Sequence, residues 1–465
     1  MAPDTGLRSA PPRAADPAAD GLPAPRRHLS TLVIQLSIAV TVLDAQMLGV
    51  ALPGIARGLE VSPADATWLL NAYQLAVVCT LLPMASLGEI LGFRRVFLSG
   101  LAAFAAASVG AALAPGFGPL LACRVLQGLG ASAVMSLTAG MIRHTFPQAK
   151  LGGAMGINAM VVAVSGASAP GIAAAVLSVA PWPWLFLVHV PLGLLGLALG
   201  ARALPNPPRA RRSFDTPSAA LNVLAFGLLF LGLDLLLAVP GLALPLMAMG
   251  ILAGWLLVRR QFARPAPLVP LDLLRIRVVG LSVAASVCAF AAWYAAYLSL
   301  PFLFQAAGRG QAEAALLLTP WPLALAVAAP LAGRLSDRVP TALLCAGGMA
   351  ALAAGLASLL SGSATLLSGA AALAGAAVAL CGAGFGFFMT PNNRTMLSAA
   401  PKARAGGAGG MQATARVLGT TLGATALALS FQAAGLEGGP RLAMGAAIGL
   451  ALAAAALSLS RRKVG

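Results

Sequence analysis

Arg124 and Gln127 stand in the run Leu121 to Ser132, where every neighbour is apolar or small. A guanidinium keeps its proton in a protein. If this run crosses a bilayer, Arg124 is a permanent charge in hydrocarbon, which costs at least ~2.5–3.5 kcal/mol on the most lenient scale. Such a charge needs a partner and marks a functional site. Two carboxylates lie well inside other apolar runs, Asp44 and Asp234. Burial raises a carboxyl pKa and a nearby cation lowers it, so a carboxylate beside Arg124 can take up and release a proton as its access alternates. Asp44, Arg124 and Asp234 are therefore the candidate proton-coupling set. The competing readings are structural: a hydrogen-bonding Asp44, a fixed interhelical anchor at Arg124, and an Asp234 that faces a helix interface.

Other polar groups suit a cavity. Gln127, Asn158, Asn393, Gln412 and Arg416 lie in or beside apolar runs, and Trp68, Tyr73, Trp293 and Tyr297 offer an aromatic wall, although interfacial belts use the same residues. Glu89 near Arg94 and Arg95, and Asp337 near Arg334 and Arg338, form two similar clusters with Leu87, Gly92 and Gly333. Charge-assisted bonds within each cluster are expected to close one end of the molecule; the plainer alternative is that the arginines only orient the chain. Pro170, without an amide donor, sits between Gly166 and Gly171 in a small-residue stretch that permits a bend. His189 reads as an interhelical hydrogen-bonding residue rather than a proton relay.

Several functions find no support. The five cysteines lack metal-like spacing, no Gly-Lys-Ser/Thr phosphate loop is present, and no catalytic constellation appears. No enzyme, metal or cofactor is expected, and nothing supports ATP as an energy source; the two buried acids would instead suit a proton drawn by the proton-motive force.

The elements that carry these residues are membrane helices. Of 465 residues, 59% are hydrophobic and 9% charged, far from the roughly 25% charged of soluble domains. The net charge of +17 does not form one patch of the kind a nucleic-acid binder displays. At ~20 residues per span, fourteen spans are read, near 30–53, 66–88, 95–114, 118–142, 153–178, 183–204, 216–238, 241–258, 278–304, 313–334, 341–361, 366–390, 408–434 and 440–460. Alternate loops and both termini on one side then hold 25 of the 30 basic residues. That asymmetry makes them cytoplasmic.

A repeat is also visible. Gly152-Gly153-Ala154-Met155-Gly156 opens span five and Gly406-Gly407-Ala408-Gly409-Gly410-Met411 opens span thirteen; Leu87-Gly88-Glu89 similarly matches Leu335-Ser336-Asp337. Both pairs are eight spans apart, which predicts two six-helix bundles with two additional helices between them. The expected units are a disordered N-terminus at 1–29, a first bundle at 30–204, the additional helices with basic linkers at 205–277, a second bundle at 278–460 and a tail at 461–465.

At this point the chain resembles the major facilitator superfamily, and within it the fourteen-span drug:proton antiporters. Leu43-Asp44 with Val50-Ala51-Leu52-Pro53 is similar to that branch's first-helix motif. Leu87 to Arg95 resembles the superfamily's loop signature, and Gly333 to Arg338 its second-half copy. Arg124, Gln127 and Gly128 resemble the fourth-helix motif linked in the family to proton coupling; Pro170-Gly171 belongs to the antiporter motif, and Trp182 to Phe186 is similar to the start of span six. Departures include Ala85, Glu89, Ile90, Ala169, Ala173, Ala174 and His189. The resemblance implies an all-α major facilitator fold in the cytoplasmic membrane. It implies a monomer that exports lipophilic, often cationic, drugs or toxic compounds by alternating access in exchange for protons. The alternatives are a dedicated transporter of one native metabolite or antibiotic and a non-transporting membrane sensor.

Overall fold

The computed structural model describes residues 21–210, 212–235, 239–261, 271–309, 311–361 and 371–463. In the first half lie α1 (Ala24–Gly58), α2 (Pro63–Leu91), α3 (Phe93–Ala112), α4 (Phe117–Thr145), α5 (Leu151–Val179), the single turn α6 (Trp184–Leu187) and α7 (His189–Ala203). Next come α8 (Thr216–Leu235), α9 (Pro240–Gln261) and a short α10 (Leu271–Leu274). The second half holds α11 (Arg277–Ala306), α12 (Gln311–Leu318), α13 (Pro320–Leu335), α14 (Thr341–Ser361), α15 (Ala371–Ala399) and α16 (Ala405–Ser460).

Against fourteen expected spans, thirteen helices among the described residues are long and apolar enough to cross a membrane. The difference lies at expected span thirteen. That stretch is helical, but it is the first limb of α16 and carries Gln412 and Arg416; Gly435, at φ 66°, breaks the helix before its apolar second limb. Only glycine takes that backbone conformation at no steric cost.

Two expectations at the termini change. Helix α1 begins at Ala24, before the expected boundary at 29, because Pro25 is preset for a helical first turn and Arg26 donates to the Ala203 and Leu204 carbonyls at the end of α7. Residues 1–20 lie outside the described part. At the other end Arg461 is no solvated tail residue: it is buried, and its Nη1 donates to Ser282 Oγ at 2.8 Å and Asn392 Oδ1 at 2.7 Å.

Within the first half, α1 packs on α5 and α7, and α4 packs on α2 and α3. Within the second, α11 packs on α16, and α15 on α13 and α14. The α8–α9 hairpin leans on α2, where Asn222 Nδ2 donates to the Cys79 carbonyl at 2.7 Å.

The halves meet along α5 with α13 and along α16 with α2 and α4. A Cβ on Gly333 would lie 2.4 Å from the Gly152 carbonyl oxygen, so the two backbones touch there as only glycines allow. The seam runs on through Gly156 against Ala329 to Ala159 and Ala163, which join the second half's apolar cluster. Further along α5, Ala169 and Ala173 belong to a cluster of first-half residues alone. The halves are therefore clasped at the end that carries the basic loops and part toward the opposite end.

Candidate functional site

Helix α4 delivers Arg124 into the interior of the first half, where its side chain is fully buried and Asp44 of α1 is 2% exposed. Arg124 Nη1 donates to Asp44 Oδ2 at 2.7 Å and to Gln127 Oε1 at 2.8 Å, while Nε donates to the Leu69 carbonyl of α2 at 3.0 Å. Gln127 Nε2 reaches Ser108 Oγ at 2.8 Å and Asp44 Oδ1 at 3.4 Å. The guanidinium also lies 4.5 Å from the Tyr73 ring centroid and 5.9 Å from that of Phe186. Tyr73 is fixed in turn by a hydrogen bond from its hydroxyl to the Thr41 carbonyl. Four helices thus converge on one ionic cluster in an apolar interior, where desolvation is repaid only if each charge is well hydrogen-bonded.

His189, at the start of α7, has Nδ1 3.9 Å from Asp44 Oδ1 and stands edge-on to Phe104. It is buried where α7 packs on α1, beside the carboxylate. Asp234 lies in α8, and its side chain is outside the described residues.

A second cluster closes the basic end. Glu89 Oε1 accepts the backbone amide of Gly407 at 2.7 Å, in the first turn of α16. Its Oε2 accepts from Arg212 at 2.7 Å and from Arg404 at 3.1 Å, and Arg404 also grips both oxygens of Asp272 at 2.9 Å. A carboxylate at a helix N-terminus is favoured by the unsatisfied amides and the helix dipole. Burial lowers the Arg212 pKa and Glu89 opposes that drop; an arginine stays charged at any working pH.

These partners replace the expected ones. Arg94 and Arg95 do not reach Glu89: Gly92, at φ 107°, ends α2 and turns the chain, after which Arg94 bonds the Ala201 carbonyl and Arg95 is exposed. Asp337 likewise pairs not with Arg334 or Arg338, which are exposed, but with Arg394 of α15 at 2.7 Å. Arg394 donates also to Ser336 at 2.7 Å. Leu87 is half-buried at the end of α2.

Of the expected cavity residues, Gln127 and Tyr73 belong to the Asp44 cluster. Gln412 Nε2 bonds the Asn393 carbonyl at 2.7 Å. Trp293 stacks on Phe385 at 5.4 Å and on Tyr297 at 6.1 Å, with Tyr297 edge-on to Trp321. Trp68 and Asn158 are half-buried and make no side-chain hydrogen bond to the others. Arg416 is half-buried, with Tyr73 as its electrostatic neighbour. Pro170 and Gly171 are exposed on α5, and a Cβ on Gly166 would lie 4.0 Å from the Val42 side chain. Sequence reasoning missed Ser108, Phe186, Arg212, Asp272, Arg394, Arg404 and Gly407 as site residues. The arginines had been legible only as loop charge.

Apolar helices clasped in two halves around buried ionic clusters form the architecture of a secondary transporter. The model of the Major Facilitator Superfamily matches residues 35–424, and the chain belongs to that family. It is 46% identical over 447 residues to a protein of Escherichia coli (strain K12) described as uncharacterized transporter YebQ, covering 95% of this chain and 96% of that one. It is 32% identical to the cephamycin export protein CmcT of Amycolatopsis lactamdurans, covering 88% and 87%. Among solved structures, the proton:xylose symporter XylE superposes with a TM-score of 0.65 at 16% identity, covering 93% of this chain and 95% of that one. That likeness concerns the fold.

Proposed function

We propose that this protein exports lipophilic small molecules across the cytoplasmic membrane by alternating access, driven by proton entry. The observation that carries the reading is the fully buried Asp44–Arg124 pair at 2.7 Å. Neutralising Asp44 by a proton removes the charge that holds Arg124, and the guanidinium is then free to reorganise with Gln127 and Leu69 on α4 and α2. Those two helices are the ones that meet α16 across the seam. Protonation at one buried point is thereby coupled to the contact between the halves.

The positive-inside rule makes the clasped, basic end cytoplasmic. In the clasped form the cleft faces outward, and opening inward requires breaking Glu89 from Gly407 and Arg404 and separating Gly152 from Gly333. Relatives that carry export names, such as CmcT at 32% identity, favour the outward direction of transport. The test is accumulation, in cells making the protein, of lipophilic fluorescent dyes carrying positive, zero and negative charge. Lower accumulation of at least one dye, abolished by a protonophore and by Asp44→Asn, supports the reading. Protonophore-insensitive transport refutes it.

A further inference from the structure

Arginines inside this protein are held. Arg124 has Asp44, Arg394 has Asp337, Arg404 has Glu89 and Asp272, and Arg461 has Asn392 and Ser282. Arg416 differs: among the described residues no hydrogen bond or ion pair engages it. Its electrostatic neighbour Tyr73 has its hydroxyl committed to Thr41 and its ring face to Arg124. Asp44, the carboxylate beside Tyr73 on the first half, is already committed to Arg124 and Gln127.

The position is as telling as the missing partner. On α16, Gly409 abuts the Ser136 carbonyl of α4, and Ala413 packs in the cluster of Tyr73, Val77 and Leu81. Arg416 follows one turn further along, on the side that faces the first half, where the halves begin to part. It therefore sits at the floor of the cleft. On its other flank, Gly419 abuts Phe290, and Gly423 abuts Ala291 and Ala295 of α11. That register sets Phe290 about one turn, Trp293 about two turns and Tyr297 about three turns beyond Arg416 on the neighbouring helix. Trp293 brings a further unmet need: its buried Nε1 has no acceptor among the described residues.

A charged side chain within a membrane either pairs or faces a water-filled cavity. Arg416 has no such pair among the described residues, which leaves it the second course, and its planar fork of donors matches carboxylate and sulfonate oxygens bidentately. We propose that the cleft takes amphipathic organic anions, with the substrate's carboxylate or sulfonate on Arg416 and its aromatic body against the Phe290–Trp293–Tyr297 side. The inference rests on the transport reading above and narrows its substrate class. It also runs against the cationic compounds that the sequence resemblance suggested, since a lone cation at the cleft floor repels them.

Equilibrium binding to the purified full-length protein tests this without any gradient, so a failure of proton coupling leaves the outcome untouched. The probes are 2-naphthoate, the neutral 2-naphthamide and the cationic 2-naphthylmethylammonium, titrated by calorimetry. The expected result is naphthoate binding at least tenfold tighter than the other two. Arg416→Gln should remove that preference, and Arg416→Lys should retain part of it. Equal binding of all three by the wild type, tighter binding of the cation, no binding of naphthoate, or an unaltered preference in Arg416→Gln would each overturn the proposal. The comparison among probes on the wild type stands even if a variant fails to fold.

Discussion

Glu89 and Gly407 lie 318 positions apart in the chain, and the carboxylate of the first accepts the backbone amide of the second at 2.7 Å. The bond joins the last turn of α2 to the first turn of α16 and so ties one half of the bundle to the other. Around it, Arg212 and Arg404 supply the charge that lets a carboxylate lie 3% exposed.

Glu89→Gln keeps the shape but removes the charge from three hydrogen bonds. Charge-assisted bonds are worth about 1.5–3 kcal/mol each, so the clasped form should lose at least ~10-fold in population relative to the inward-open one. Accessibility labelling of single cysteines placed along α5 and α13 at the basic end reads the shift. Arg94→Gln, whose hydrogen bond among the described residues is to the Ala201 carbonyl, should leave the labelling pattern almost unchanged.

The second-half loop should matter less. Asp337 is 36% exposed and has Arg394 as its ion-pair partner, and exposed pairs contribute ~0–1 kcal/mol. Asp337→Asn is therefore expected to change labelling by less than ~5-fold, well short of Glu89→Gln. Equal effects would mean that the two loops carry equal weight, which their unequal burial does not support.

Gly333→Ala tests the backbone contact. The added methyl would meet the Gly152 carbonyl oxygen at 2.4 Å, and neither backbone can yield without moving its helix. The halves should separate at the basic end, with labelling there rising as in Glu89→Gln. Thermal stability should fall by about 1–3 kcal/mol, the usual cost of overpacking.

Arg124→Ala leaves a carboxylate in an apolar interior without its cation. Breaking one side of a buried pair costs about 3–5 kcal/mol, which a detergent-solution melt will register as a lowered midpoint. Adding Asp44→Asn removes the orphaned charge. The double variant should be more stable than Arg124→Ala alone, and a strictly additive result would show that the two side chains are not coupled.

The helix positions were legible in the sequence because nearly every span is a long apolar run. Asp44, Arg124 and Gln127 were legible for a related reason: a polar group in hydrocarbon stands out wherever it falls. The partners of Glu89 were not. Arg94 and Arg95 are its neighbours in the chain, and only the turn at Gly92 sends them elsewhere; Arg404 and Gly407 reach Glu89 through the packing of α16 on α2, which no local pattern encodes. Arg461 misled for the opposite reason, since a terminal Arg-Arg-Lys reads as a solvated tail until Asn392 and Ser282 are seen to enclose its guanidinium. The break at Gly435 was hidden within a gap between apolar runs, where the expected loop is only a bend in α16.

The central claim is that proton uptake at Asp44 drives transport. Its most direct test is a proteoliposome measurement with the purified protein, an imposed pH gradient and whichever charged or neutral dye the cells prove to export. The account predicts gradient-dependent dye transport with a matching proton flux, both lost in Asp44→Asn and in Arg124→Ala, while either variant still binds the dye. Full gradient-driven transport by Asp44→Asn would contradict it.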